Sequence, residues 1–181
     1  MDEAARLSRQ AARVRFERPL DAKRDWAEAV RLCREAGARD ELVETLKGLG
    51  QIERDMGNGE AALGHYGEAV AICRGLDNPR RLAHTLRHVA DILLDLGRIV
   101  QAEPCFVEAL ALYRADADRP LGELANAVRG MAALREATGE VLLARLLWRE
   151  ARDVYSAIGV EAGVSECSRR LARLSQDDIP T

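Results

Sequence analysis

Four of the seven aromatic residues recur at an almost constant spacing along the chain. Trp26 and Tyr66 are 40 residues apart, Tyr66 and Phe106 are again 40 apart, and Trp148 follows after 42. A fixed period in this range indicates a repeat array, in which each unit is one supersecondary element stacked on the next. Because such arrays expose long surfaces, the period predicts a protein that holds a partner rather than one that performs chemistry.

The composition favours a folded helical protein. Of the 181 residues, 48% are hydrophobic and 31% charged, which suffices for a core and excludes disorder. Aromatic residues make up only 4%, as expected where helices pack through small side chains. The net charge of −3 provides no global attraction to nucleic acid or to an anionic membrane. We expect a single repeat domain over residues 1–181.

The chain shows no segment typical of export or membrane insertion. No apolar run approaches the roughly 20 residues that span a bilayer, and the first 19 residues are charged throughout. None of the four cysteines belongs to a CxxC pair, and Cys33 and Cys73 occupy equivalent positions in adjacent repeats, too far apart for a disulfide. We therefore expect a soluble, cytoplasmic protein with buried free thiols and without a cofactor.

Three segments align without a gap when they begin at Lys47, Arg87 and Arg129. Their shared positions are, in order, two apolar residues, a small residue, a glycine and two further small residues on either side of the aromatic. These positions are Leu46/Leu86/Val128, Leu49/Val89/Met131, Gly50/Ala90/Ala132, Gly57/Gly97/Gly139, Ala62/Ala102/Ala144 and Ala69/Ala109/Ala151. The apolar residues fall at helical spacing, the small residues allow two antiparallel helices to approach, and the glycine ends the first helix with positive φ.

This order of small residue, turn glycine, small residue, aromatic and alanine resembles the tetratricopeptide repeat, lengthened to 40–42 residues. The resemblance covers about residues 21 to 175. It implies an all-α, right-handed superhelix of antiparallel helical hairpins, with about nine helices, a C-terminal capping helix and no catalytic activity. The first helices of the hairpins would build its concave face. The repeats would span residues 3–38, 40–77, 79–117 and 120–159, with the capping helix at 161–176.

The remaining landmarks predict how individual helices begin and end. Pro19 is expected to stop the first helix and Asp21 to cap the second, because no glycine occurs in that turn. Asn78 followed by Pro79 fits a helix cap, and Pro120 is similar, whereas Pro104 predicts a late start or a bend in its helix. In the capping helix, apolar residues would cover the last hairpin and arginines would face water, before a frayed tail at 176–181. The apolar residues are Val164, Cys167, Leu171 and Leu174, and the arginines are Arg169, Arg170 and Arg173.

Four basic residues occupy one repeated position, three residues before each small residue: Lys47, Arg87, Arg129 and Arg169. A basic ladder of this kind predicts a groove for an acidic or C-terminal peptide of a protein partner. The alternative is a solvated face neutralised by nearby acids, such as Glu44 before Lys47 and Glu166 before Arg169. The full set of predicted contacts is Glu44, Lys47, Gln51, Arg54, His84, Arg87, His88, Asp91, Asn126, Arg129 and Arg169.

Two other functions stay open at the level of sequence. One helical face carries a candidate metal site, formed by His84, His88, Asp91 and Asp95. The alternative is that this face is simply the solvated face of a first helix, which has the same spacing. The array could instead form a homodimer through its end helices. We expect a non-enzymatic interaction scaffold that binds neither nucleic acid nor membrane, with self-assembly and metal binding as alternatives.

Overall fold

The computed structural model describes residues 2–176, which form nine α-helices and no β-strand. The expected all-α fold of stacked hairpins is confirmed, whereas residues 177–181 of the predicted tail lie outside the described part of the chain. The helices are α1 Asp2–Val14, α2 Pro19–Glu35, α3 Arg39–Asp55, α4 Gly59–Cys73, α5 Pro79–Asp95, α6 Ile99–Ala115, α7 Leu121–Ala137, α8 Val141–Ala157 and α9 Glu161–Gln176.

Each helix packs mainly on the helices that precede and follow it in the chain. In addition, α1 contacts α3, and α5 contacts α7, so these pairs of first helices touch one another directly. Second helices are connected instead by long side chains: Arg34 reaches Glu68 and Arg74 reaches Glu108, at 2.6 and 2.7 Å. The first helices therefore form the inner layer of the array.

The core follows the predicted repeat pattern. The four periodic rings are 0–5% exposed, and the alanines that flank them on the second helices are fully buried. The small side chains bring the helices of a hairpin close together, and the ring fills the remaining space. Two clusters of buried side chains result, one around α1 to α4 and one that extends from α4 to α9.

Each ring also contacts the first helix of the following hairpin, which the repeat alignment does not predict. A Cβ on Gly48 would lie 2.3 Å from Trp26 Nε1, and a Cβ on Gly130 would lie 2.4 Å from Phe106 Cε1. At the equivalent positions, His88 stacks on Tyr66 and the Arg170 guanidinium lies over Trp148. The rings thus join neighbouring repeats as well as the two helices of one hairpin.

The predicted turn glycines adopt the expected backbone conformation. Gly57, Gly97 and Gly139 have φ values of 81°, 72° and 78°, in the left-handed region. Their amides donate to carbonyls of the preceding turn, as for Gly57 N to Arg54 O at 2.9 Å. This geometry ends each first helix and lets the second begin two residues later.

Three expectations about helix ends need correction. Asp21 is the third residue of α2 and makes no capping bond, because the helix already begins at Pro19. Pro120 precedes α7 as its N-cap, whereas Pro79 is the first residue of α5 behind Asn78, whose Oδ1 accepts from Arg81 N at 3.0 Å. Of the two alternatives for α6, a late start is wrong, since α6 begins at Ile99 and contains Pro104, and a bend at Pro104 stays a prediction.

Helix α9 covers the last hairpin through its predicted apolar face. Cys167 and Leu174 are buried, and Val164 and Leu171 pack against the same core. Arg169 and Arg173 are exposed as expected, whereas Arg170 is partly buried. Arg170 and Arg173 both bind Glu136 of α7. The four cysteines are free thiols, and within residues 2–176 no helix is long and apolar enough to cross a membrane.

Candidate functional site

The inner layer of first helices carries the predicted basic ladder, but most of its members are paired with acids. Lys47 Nζ lies 2.9 Å from Glu44 Oε2 on the same helix, as the local alternative predicts. Arg129 Nη1 lies 3.4 Å from Glu166 Oε1 of α9, so Glu166 contacts Arg129 rather than Arg169. Within the described residues, Arg169 is exposed and forms no ion pair.

Arg87 is the buried member of the ladder, with 7% of its surface exposed. Its guanidinium donates to Asp91 Oδ2 at 2.9 Å, to His88 Nε2 at 2.8 Å and to Glu123 Oε2 at 3.2 Å. Because Asp91 lies on α5 and Glu123 on α7, Arg87 fastens two first helices together. The structure therefore places Arg87 beneath the groove surface and gives Arg87 and Asp91 a structural contact.

The charge states of this cluster follow from its burial and its hydrogen bonds. The hydrogen bond from His84 and the charge of Arg87 lower the pKa of Glu123 to about 2. Burial, followed by the adjacent positive charge of Arg87, lowers the pKa of His88 to about 2. Glu123 is therefore an anion at neutral pH, and His88 is a neutral imidazole that accepts a hydrogen bond at Nε2.

The candidate metal ligands face different partners. His84 Nδ1 lies 3.1 Å from Glu123 Oε2, His88 binds Arg87, and Asp95 lies 2.6 Å from Arg54. The two imidazole rings meet edge to face, with centroids 4.7 Å apart. Residues 2–176 contain no group of three or more histidine, cysteine, aspartate or glutamate side chains arranged to hold a metal ion. The geometry gives the metal hypothesis no support.

The other predicted contact residues are also held by neighbours. Gln51 Nε2 donates to Asp55 at 2.7 Å, and Asn126 Oδ1 accepts from the Tyr155 hydroxyl at 2.7 Å. Glu44 bridges from Lys47 to Arg81 of the next first helix, at 3.3 Å from the latter. These contacts fix the shape of the inner surface before any partner arrives.

The centre of the inner surface contains a pocket of about 430 Å³. Predicted contacts Arg54, Asp91 and Arg129 line it, together with residues that the sequence analysis did not select. The additional lining residues are Leu94, Asp95, Gly130, Ala133, Glu136, Ala137 and Arg170. Three of them, Gly130, Ala133 and Ala137, are small and share one face of α7, so the pocket is a gap in the row of large polar side chains. That run of small residues was the signal available in the sequence.

Comparisons with known proteins agree with this architecture. Residues 41–115 match the sequence pattern of the tetratricopeptide repeat family, and no curated protein sequence matches the chain. The predicted resemblance to tetratricopeptide repeats is confirmed by this match and by solved structures of TPR-like repeats that are similar to the whole chain.

Three solved structures illustrate the likeness. Aspartyl phosphate phosphatase F from Bacillus subtilis has a TM-score of 0.81 at 15% identity, over 92% of this chain and 44% of that one. The TPR-like repeats of a putative kinesin light chain from Podosopora anserina give 0.71 at 13%, over the full length of both chains. BtubC (BKLC) from P. vanneervenii gives 0.58 at 16%, over 98% of this chain and 91% of that one.

These identities show likeness of fold alone. The chain spans less than half the length of the phosphatase. The repeat boundaries and the assignment of one domain to the whole chain stay predictions. What the fold supports in general is a protein-interaction scaffold.

Proposed function

We propose that this chain is a non-enzymatic scaffold that holds a segment of a partner protein against its inner layer of first helices. The segment would be a helix or an extended peptide that follows the groove from α3 to α9. Its four cysteines are free thiols, which is typical of proteins in a reducing compartment, so we place the protein in the cytoplasm.

The observation that supports this function best is the 430 Å³ pocket at the centre of the groove. Its floor of Gly130, Ala133 and Ala137 offers space for a partner side chain. At the positions equivalent to these three, α5 carries His88, Asp91 and Asp95. Charged residues surround the floor, so an apolar anchor would be buried while its polar neighbours find hydrogen-bonding partners.

The groove is also preorganised. Ion pairs hold its arginines and carboxylates in place, for example Arg54 with Asp95 at 2.6 Å and Arg170 with Glu136 at 3.1 Å. Side chains that are already ordered lose less entropy when a partner binds. Binding is therefore expected to require little rearrangement of the first helices.

The test is to fill the pocket. Tryptophan at Ala133 should occupy the space above α7, whereas tryptophan at Ala61, an exposed alanine of α4 outside the pocket, is the matched control. Affinity capture from the native cell, quantified by mass spectrometry, should recover a partner with wild type and with Ala61→Trp. Recovery with Ala133→Trp should fall at least tenfold. Equal recovery by both variants would contradict the groove as the binding site.

Self-assembly through the end helices is less well supported by their surfaces. Helix α1 exposes several charged and polar side chains, namely Glu3, Arg6, Gln10 and Arg13. On α9, Ser165, Ser168 and Ser175 are likewise exposed. Light scattering over a range of concentrations separates this alternative from the scaffold, since a mass that rises with concentration is expected only for self-assembly.

A further inference from the structure

The outer layer of second helices exposes an apolar face on α6 and α8. Five of the ten large hydrophobic side chains that are exposed within residues 2–176 lie on these two helices. They are Val100, Val107, Leu142, Leu143 and Leu146, with 47–87% of each surface exposed. Their spacing places those of one helix on the same side of that helix. A face of this kind on a soluble protein indicates a contact with another molecule.

A pocket of about 510 Å³ lies in this face, between α6 and α8. The exposed side chains of Val107, Leu143 and Leu146 line it, and the buried Met131 of α7 contributes to the lining from behind. Because α7 belongs to the inner layer, the pocket opens away from the groove of the first helices. It therefore provides a second concave surface that the scaffold function does not use.

The charged residues beside the pocket are already neutralised. Arg114 lies 2.8 Å from Glu150, and Arg135 lies 2.7 Å from Glu140. These ion pairs leave an apolar surface with a polar border, which is the arrangement found in protein interfaces.

The exposed leucines of α8 are not required by the hairpin fold, because other second helices do without them. At the positions equivalent to Leu142, Leu143 and Leu146, α4 carries Glu60, Ala61 and Gly64, and α2 carries Leu20, Asp21 and Arg24. The core of a hairpin therefore tolerates charged or small residues at these positions. The leucines are a property of the outer face and not of the repeat.

The two helices of this face have opposite net charges. Helix α6 contains two carboxylates and one arginine, whereas α8 contains three arginines and two carboxylates. On α8, Arg149 is exposed and has no ion pair within residues 2–176. The face as a whole is neutral, so a second copy of it is not repelled, and α6 of one copy is complementary in charge to α8 of another.

We propose that this outer face of α6 and α8 binds the same face of a second copy of the chain, with the two-fold axis parallel to the helices. Helix α6 of each copy then lies against α8 of the other, and residues at equivalent repeat positions face each other. Val100 meets Leu142 of the second copy, and Pro104 meets Leu146. Such a contact is isologous and closes at two copies.

The size of the face fits a reversible dimer. Both helices have 17 residues, so each is about 25 Å long and roughly 10 Å wide. Two helices side by side offer about 500 Å² on each copy, or about 1,000 Å² in total, which is near the lower limit for a specific interface. The dimer would leave both inner grooves open and facing away from each other, so that one dimer could hold two partner segments.

Sedimentation equilibrium of the purified chain tests the proposal. From about 1 µM to about 300 µM, wild type should convert from monomer to dimer. Leu142→Glu should raise the dissociation constant about tenfold or more, because it removes apolar contacts and faces the carboxylates of α6 in the second copy. Leu20→Glu is the matched control, since Leu20 has the equivalent position on α2 and 71% exposure against 75% for Leu142. It should change the dissociation constant less than twofold.

Disulfide formation tests the orientation of the two copies. Val107→Cys and Arg149→Cys are made separately in the background Cys105→Ser, because Cys105 is the native cysteine that is not fully buried. The proposed axis brings position 107 of one copy level with position 149 of the other. Mild oxidation of an equimolar mixture should therefore give the mixed dimer faster than either variant alone gives its own dimer.

The outcomes that overturn the proposal are distinct. Wild type that stays monomeric at about 300 µM would exclude a second copy as the occupant. Loss of a captured cellular protein by monomeric Leu142→Glu, but not by Leu20→Glu, would then assign the face to a different chain. Equal dissociation constants for the two variants would exclude this face, and a larger effect of Leu20→Glu would place self-association at the α1 end. Faster oxidation of Arg149→Cys alone than of the mixture would exclude the proposed axis.

Discussion

The imidazole of His88 lies almost parallel to the ring of Tyr66, with centroids 5.1 Å apart and an interplanar angle of 15°. Tyr66 belongs to the second helix of one hairpin and His88 to the first helix of the next. The same junction pairs Trp26 with Gly48, Phe106 with Gly130 and Trp148 with Arg170. The same repeated position of the first helix therefore packs against the ring of the preceding hairpin at all four junctions, and the residue there differs according to the ring that it contacts.

The close fit at Gly130 predicts a loss of stability when a methyl group is added there. A Cβ would lie 2.4 Å from the Phe106 ring, so Gly130→Ala should lower the free energy of unfolding by about 1–3 kcal/mol. Gly64→Ala is the control, because the Cβ at this α4 position meets no atom within 4 Å. It should raise the unfolding free energy by about 0.5–1 kcal/mol. Urea titrations followed by circular dichroism measure both, and equal effects would contradict the packing.

The buried contact between Arg87 and Asp91 predicts a large effect of removing one partner. Arg87→Met leaves the carboxylate buried without its cation, so the unfolding free energy should fall by about 3–5 kcal/mol. Arg34→Met, which breaks the exposed contact with Glu68, should cost no more than about 1 kcal/mol. The double variant Arg87→Met/Asp91→Leu should recover part of the loss. If Arg87→Met lowers the unfolding free energy as little as Arg34→Met does, the buried cluster does not stabilise the fold.

The lowered pKa of His88, to about 2, predicts a pH dependence of stability. Below the ordinary pKa of about 6.5, the unfolded chain takes up a proton at this position and the folded chain does not. The unfolding free energy should therefore fall as the pH is lowered from 6.5, by roughly 1 kcal/mol between pH 6 and pH 5 from this group.

The variant His88→Gln isolates this contribution. Its unfolding free energy should decline less than that of wild type over the same interval, by the amount assigned to His88. Some dependence should persist, because burial also lowers the pKa of His65. Urea titrations at pH 7, 6 and 5 provide the measurement, and parallel curves for the two proteins would argue against a neutral buried His88.

The position of Pro104 predicts a gain of stability on substitution. It is the sixth residue of α6, where its ring removes the hydrogen bond to the carbonyl of Val100. Pro104→Ala should raise the unfolding free energy, by up to about 3 kcal/mol. Pro79→Ala, at the first position of α5, should change it by less than about 1 kcal/mol, since no intrahelical partner is lost there. Thermal melts of the two variants provide the comparison.

The candidate site was predictable only in part. The repeat register correctly placed Lys47, Arg87 and Arg129 on first helices, yet it treated them as one ladder. Their surroundings differ because Lys47 is paired within its own helix, whereas Arg87 and Arg129 also meet acids from the following repeat. Glu123 of α7 reaches Arg87 on α5, and Glu166 of α9 reaches Arg129 on α7. Such contacts join residues about 36 positions apart, and no local pattern specifies them.

The sequence by itself determined the helices, their order and the hairpin core, because helical periodicity, small residues and turn glycines act within one repeat. Tertiary structure alone decided which charges are neutralised by acids of other repeats. It buried Arg87 and left Arg169 exposed at the same repeated position. The physical reason is that local conformation depends on neighbours along the chain, whereas the electrostatic environment of a side chain depends on which helices stack beside it.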